Sequence, residues 1–274
     1  MKLNRQGVVH AILILTALIL ALPLYLALIA ASHDASTMQH LPLPYLPGQS
    51  LWENITTVFG KGFGSLGDVG LKQVLWNSLC MAMLIAVGKI IMSLCAAFSW
   101  VYFSFPFKKL CFALILITLM LPIEVRLVPT FQIMVMLHGL NHLAGLGFPL
   151  MVSATATFLF KQFFEEIPPH LVEAAKLDGA GPLQFFFHIL VPMARAPMAS
   201  LFVILFIYGW NQYLWPLVVT TSSSAMTVVM SMRYLAGVAD VAPEWNLILS
   251  VALIALLPPC LVLLWMQRAF ERGL

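Results

Sequence analysis

Six long apolar stretches, separated by shorter polar ones, set the rhythm of this chain of 274 residues. A helix needs about 20 consecutive apolar residues to cross a bilayer. Five stretches meet that length cleanly: 8–31, 76–100, 146–164, 198–219 and 247–266. The sixth, 110–137, is apolar but interrupted by Pro122, Glu124, Arg126 and Pro129. Pro122 removes a helical hydrogen bond and predicts a kink there. The pattern predicts an all-α, polytopic membrane protein, with six transmembrane helices in a single domain over 1–274. Trp76 and Trp100, at the ends of the second stretch, suit the membrane interface. Lys2 and Arg5 precede the first stretch as they would in a secretory signal. The stretch is too long for a typical signal core and predicts a retained anchor, with Pro23 a candidate kink.

The polar segment 165–197 has its own helical pattern. Pro168 and Pro169 stop the incoming span and can open a new helix. Leu171, Val172, Ala175 and Leu177 form an apolar side; Glu173, Lys176 and Asp178 form a polar one. Asp178-Gly179 reads as a helix end, with Gly179 at positive φ. Pro182 starts a second helix in which Phe185, Phe186, Ile189 and Leu190 recur at helical spacing, and Pro192 and Pro197 end it. Two short helices lying across the membrane face are predicted. The segment 32–75, with Pro42, Pro44 and Pro47, predicts a long loop, and 226–238 a short helix.

Composition narrows the class. With 61% hydrophobic and 9% charged residues the chain is not a soluble globular protein. The spans leave no room for a soluble catalytic domain. A net charge of +3 comes from basic residues scattered in ones and twos, which argues against nucleic acid. They serve better as orientation signals. With both termini cytoplasmic, the inner segments hold nine cations: Lys2, Arg5, Lys108, Lys109, Lys161, Lys176, Arg195, Arg268 and Arg272. The outer segments hold three, Lys61, Lys72 and Arg233. That asymmetry satisfies the positive-inside rule and places 165–197 in the cytoplasm. Cys80, Cys95, Cys111 and Cys260 lie in or beside apolar stretches and form no Cys-x-x-Cys pair, so they read as small apolar residues.

Several local patterns invite chemistry. Gly62-Phe63-Gly64-Ser65-Leu66-Gly67 matches a dinucleotide fingerprint but lacks the strand and helix that give it meaning. Asn54-Ile55-Thr56 is a glycosylation sequon without a context. His138 and His142 have the spacing of two helix-borne metal ligands, but Gly139 and Asn141 argue for a turn. Lys89 sits mid-span, where a charge faces a cavity or partner, or is paired within the bundle. Arg126 follows a proline interruption, a position that often lines a substrate path, and is the candidate for an anionic group; Glu124 reads as a surface residue. The segment 208–216 packs Tyr208, Trp210, Asn211, Gln212, Tyr213 and Trp215 together, which suits a sugar or polyol. No G-x-x-x-x-G-K-[ST] run is present at either Gly-Lys pair, so any ATPase belongs to another polypeptide.

Glu173-Ala174-Ala175, then Gly179, Ile189 and Pro192 at fixed intervals, resembles the EAA loop of membrane subunits of ATP-binding-cassette (ABC) importers. Val191 stands where the family usually has Leu. Trp210-Asn211-x-aromatic-Leu214-Trp215-Pro216 is similar to a segment of the carbohydrate, maltose-type branch. With 119–126 and the run from Gln267, the resemblance covers essentially the whole chain. It implies a type I importer permease fold in a bacterial inner membrane. It also implies a coupling helix that enters a cleft on the ATPase, carried by Glu173, Ala174, Ala175, Asp178, Gly179, Ala180 and Pro192. The substrate path is expected to use Arg126, Trp210, Asn211, Gln212 and Tyr213. The implied partners are a second permease, two ATPase subunits that bind ATP and Mg, and a periplasmic substrate-binding protein. This chain is expected to hold no cofactor and no catalytic residue. The resemblance is nearest to importers of sn-glycerol-3-phosphate or a related sugar or polyol, with a neutral sugar or oligosaccharide as the alternative. A secondary transporter would more usually show an inverted repeat, which is not evident here. An intramembrane enzyme would show a catalytic motif, and none is found.

Overall fold

The computed structural model describes residues 5–40, 42–60, 69–237 and 243–271. Lys2, Lys61, the glycine run 62–67 and Arg272 lie outside them, as do the side chains of Arg5 and Arg268. Every regular element among the described residues is helical. In chain order these are α1 (Arg5–Ala31), α2 (Ala35–Met38), α3 (Leu51–Gly60), α4 (Leu71–Tyr102), α5 (Lys108–Met120), α6 (Ile123–Met136), α7 (Leu143–Gly147) and α8 (Ala154–Glu165). They continue with α9 (Pro169–Leu177), α10 (Pro182–Phe185), α11 (Val191–Met193), α12 (Arg195–Trp210), α13 (Leu214–Val219), α14 (Val228–Ala236) and α15 (Trp245–Glu271).

Three helices are long and apolar enough to span a membrane unaided: Gln6–Ala31, Leu71–Tyr102 and Trp245–Gln267. Two bent pairs raise the number to five, Leu143–Leu150 with Ala154–Glu165 at 51° and Pro182–Met193 with Arg195–Trp210 at 71°. The other three expected spans are therefore not continuous helices. In 110–137 the chain does more than kink. Leu121 is extended, as a residue before proline prefers, and Pro122 starts a new helix, α6. The stretch 146–164 is divided because Pro149 lies in a 3-10 turn and Ser153 is extended, capping α8 by accepting from the Ala156 N–H at 3.2 Å. The stretch 198–219 stops at Trp210 and restarts at Leu214. A continuous helix would set the Pro216 ring against the Gln212 carbonyl.

By contact density the chain divides into two compact units. One comprises Met1–Leu75 with Val228–Leu257. Here 32–75 is not all loop, since it holds α2 and α3. Asp34 caps α2; bonds from the Ser36 and Thr37 hydroxyls hold its carboxyl below the usual carboxylate range. Asn54 is buried on α3 and ties three segments together. Its amide donates to the carbonyls of Ala31 at 2.9 Å and His33 at 2.8 Å, and its oxygen accepts from Asn246 at 3.0 Å. The sequon is thus occupied by structural bonds rather than exposed.

The other unit comprises Trp76–Thr227 with Pro258–Leu274. Its core gathers Met81, Ile85, Leu146, Trp215 and Val219, flanked by Leu127 and Phe131 of α6. The Trp215 indole donates to the Gly145 carbonyl at 3.0 Å. Asn141 holds 219–222 by accepting from the Thr221 and Ser222 N–H groups at 2.8 and 2.9 Å. His138 and Asn141 both have positive φ, so the histidine pair lies in a turn. α4 and α12 cross closely at Gly209, where a Cβ would meet the Ala82 Cα at 2.9 Å.

Replacing Asn54 by Ala leaves two carbonyls and an amide unpaired in a buried setting, a loss of about 1–3 kcal/mol. Asn54→Ala is expected to lower the thermal unfolding temperature in detergent. Thr56→Ala, at an exposed position of the same sequon, is expected to leave it unchanged. Equal unfolding temperatures for Asn54→Ala and the unmodified protein would remove Asn54 from the fold's supports.

Candidate functional site

Two places in the second unit carry polar chemistry. The first is 169–193. α9 buries Ala175, while Leu171 and Val172 are half-buried. Leu177, expected on this apolar side, is 89% exposed. It lies at the last helical position, rotated away from Ala175, where nothing covers it. Glu173, Ala174, Lys176 and Asp178 are exposed. The helix closes with Gly179 at φ +73; its N–H bonds to the Lys176 carbonyl at 3.1 Å and the Ala180 N–H to the Ala175 carbonyl at 2.9 Å. This is a Schellman end, which requires the left-handed conformation that glycine adopts without strain. A Cβ at Gly179 would meet nothing within 4 Å, so the demand is on φ and not on space.

Beyond the turn the helix does not end at Pro192. It widens into a π turn over Phe186–Leu190 and carries Pro192 into α11. The wider turn accommodates the N–H that proline lacks. The chain then bends at Ala194 into α12. Phe185 and Phe186 seat this hairpin on the end of α4. Phe98 meets Phe186 at 4.8 Å between ring centroids, and Tyr102 meets Phe185 at 5.2 Å. The Tyr102 hydroxyl donates to the Phe164 carbonyl at 3.3 Å.

The second place is a cavity of about 470 Å³. Lys89 of α4, Arg126 and Thr130 of α6, Ser153 and Thr155 at the start of α8, Tyr208 of α12 and Trp215 of α13 are among its lining residues. Its volume lies in the range of small-molecule sites. No carboxylate occurs among the described lining residues. Lys89 is only 7% exposed, and its ammonium lies 3.7 Å from the centroid of the Tyr208 ring. A ring face contributes about 2 kcal/mol to a desolvated cation. Taking the ion out of water costs several kcal/mol, so the ring alone does not keep this lysine charged. Arg126 is exposed at the cavity.

Of the other path residues expected from the sequence, none lines this cavity. Trp210 is 2% exposed and stacks on Phe206 at 5.9 Å, so it is a packing residue of α12. Asn211 is an exposed helix end, and Gln212 donates to the Tyr208 carbonyl at 3.2 Å within its own turn. Tyr213 is half-buried. Lys89 lines the cavity although its sequence position left its role open. One signal was available: Ala82, Ala86, Lys89, Ser93 and Ala97 share one buried stripe of α4 at helical spacing. Among the described residues no group of three or more potential metal ligands occurs.

The family model described as "Binding-protein-dependent transport system inner membrane component" matches residues 89–274. The chain belongs to that family. Within it, the chain is 47% identical to the sn-glycerol-3-phosphate transport system permease protein UgpE of Brucella melitensis biotype 1, covering 97% of this chain and 94% of that one. It is 44% identical to the UgpE of Yersinia enterocolitica serotype O:8 / biotype 1B, over 99% and 97%. These relatives are permease subunits rather than enzymes. A crystal structure of a bacterial ABC transporter involved in import of the acidic polysaccharide alginate aligns with a TM-score of 0.78, covering 98% of both chains at 17% identity. The fold is that of an ABC importer permease. The chain is a multi-pass inner-membrane subunit of a binding-protein-dependent importer.

Proposed function

We propose that this permease forms half of the membrane pathway for uptake of sn-glycerol-3-phosphate. Near full-length similarity to two permeases of that transport system supports the cargo. The observation that carries it is Arg126 lining a cavity of fitting size, with no acidic side chain among the described residues around it. An arginine that can form two parallel hydrogen bonds suits a phosphate better than a neutral hydroxyl. A second permease supplies the other half of the path. A periplasmic binding protein delivers the cargo, and a separate ATPase, present in two copies, binds ATP and Mg. The exposed face of α9 is the docking site for that ATPase. There Glu173 pairs with a basic group, and Gly179 sets the angle between the two short helices. Ala174 lies on that exposed face, Ala175 and Ala180 hold the hairpin shut, and Pro192 lies beside the widened turn. Both termini and 165–197 face the cytoplasm. Asn211, Gln212 and Tyr213 contribute to the path from beyond the cavity.

Cargo is tested by uptake of labelled sn-glycerol-3-phosphate and of a neutral maltodextrin in cells carrying the whole transporter. Arg126→Gln is expected to reduce phosphate-ester uptake by roughly tenfold or more. Uptake of a neutral sugar, if the system takes one, should change little. Unchanged phosphate-ester uptake at equal membrane levels removes Arg126 from the path. Docking is tested by co-purification. Glu173→Ala should weaken ATPase binding, and Gly179→Val should weaken it further because valine resists positive φ. Gly179→Asn should be mildest. Wild-type transport with bound ATPase in all three would leave this hairpin a mere connector. Orientation is tested with a cysteine-free chain carrying Lys176→Cys. An impermeant thiol reagent added to intact cells should fail to label it, and labelling would reverse the topology.

A further inference from the structure

We propose that Lys89 and the first turn of α8 join Arg126 in one dianion site, which selects the doubly charged phosphate of a phosphate monoester. The inference rests on the reading above that the cargo is phosphorylated, and it names the groups that read the charge. Lys89 is more than nine-tenths buried and lines the cavity, with its ammonium over Tyr208 and no ion pair to any described carboxylate. Arg126 lines the same cavity and likewise has no such partner. Two cations facing one space without a carboxylate repel each other when the space is empty. They are best balanced when it holds two negative charges.

The start of α8 adds a third positive element. Ser153, Ala154 and Thr155 all line the cavity. The Ser153 hydroxyl oxygen takes the Ala156 N–H and its carbonyl takes that of Thr157. The N–H groups of Ala154 and Thr155 remain as donors at the positive end of a helix dipole. Helix ends at breaks inside membrane proteins meet anionic cargo in this way. Lys89 thus supplies charge from α4, Arg126 from α6 and the helix end from α8, on separate sides of one ligand. A buried lysine serving only as a packing residue would account for the Tyr208 contact but not for the unpaired arginine beside it.

The phosphate itself provides the test. Its second ionisation falls near pH 6, so the monoester is mostly dianionic at about pH 7.5 and mostly monoanionic at about pH 5.5. Besides Lys89 and Arg126, Tyr208 is the one titratable group among the described lining residues, and Lys89→Arg, whose guanidinium keeps its charge at both pH values, separates ionisation of the phosphate from any change at position 89. Uptake of labelled sn-glycerol-3-phosphate is measured at both pH values in cells carrying the complete transporter with either the unmodified chain, Lys89→Gln or Lys89→Arg. The ratio of unmodified to variant uptake cancels the pH response of the other subunits. For Lys89→Gln that ratio should be roughly tenfold or more at the higher pH and fall at least about threefold at the lower. Lys89→Arg, which keeps the charge, should retain roughly half of the uptake at both. A Lys89→Gln ratio equal at both pH values, no deficit at all, or a Lys89→Arg as impaired as Lys89→Gln would overturn the proposal. An unmodified transporter that takes up a neutral sugar but not the phosphate ester would instead overturn the cargo reading, and this site with it.

Discussion

In a membrane every break in a helix exposes backbone groups that lipid cannot satisfy, and this constraint governs where the chain is irregular. Three of its apolar stretches are broken, at Leu121 and Pro122, at 151–153 and at 211–213. All three breaks adjoin the same cavity. Arg126 lies one turn beyond the first, Ser153 ends the second, and Leu214 and Trp215 follow the third. The loose ends are met locally, by the Ser153 hydroxyl at the start of α8 and by the Trp215 indole on the Gly145 carbonyl. At these three breaks the irregular backbone has a cavity to line. The same places deliver the polar groups that a cargo needs.

α4 connects the two chemical regions. Lys89 faces the cavity from its middle, and Phe98 and Tyr102 seat the short-helix hairpin near its end. The thirteen helical steps from Lys89 to Tyr102 span about 20 Å of straight helix. Aromatic rings packed edge to face resist sliding, so displacement of the hairpin would carry α4 with it. On the proposed reading, a push on Glu173 from an ATPase reaches the cavity through one unbroken helix. The Gly179 turn keeps the pushed surface at a set angle to that helix.

Three sequence patterns resemble functional sites but do other work, and the reason is common to all. Asn54 has the sequon's neighbours, yet its amide is spent on Ala31 and His33. His138 and His142 have ligand spacing, but positive φ at His138 and Asn141 takes them off a helix. Trp210 belongs to a sugar-like aromatic segment, yet it stacks on Phe206 inside the bundle. Spacing constrains which residues can share a face only after the backbone conformation between them is known.

Membrane class, an all-α architecture and the Gly179 turn were legible in the chain alone, because each depends on local composition or one residue's allowed φ. Family membership was legible too, in the Glu173 to Pro192 pattern. Tertiary structure decided what depends on which face of a helix meets which neighbour. It turned three predicted spans into broken ones, since a single proline within a long apolar run does not reveal whether the run bends or divides. It moved Trp210 into the core and left Asn211 and Gln212 off the cavity. Above all it decided Lys89, whose sequence position allows either a cavity or a buried pair. Only the crossing of α4 and α12 at Gly209, with α6 and α8 alongside, puts that ammonium over Tyr208 and on the same space as Arg126. A charge's role in an apolar helix is set by its through-space partners, and these come from distant parts of the chain.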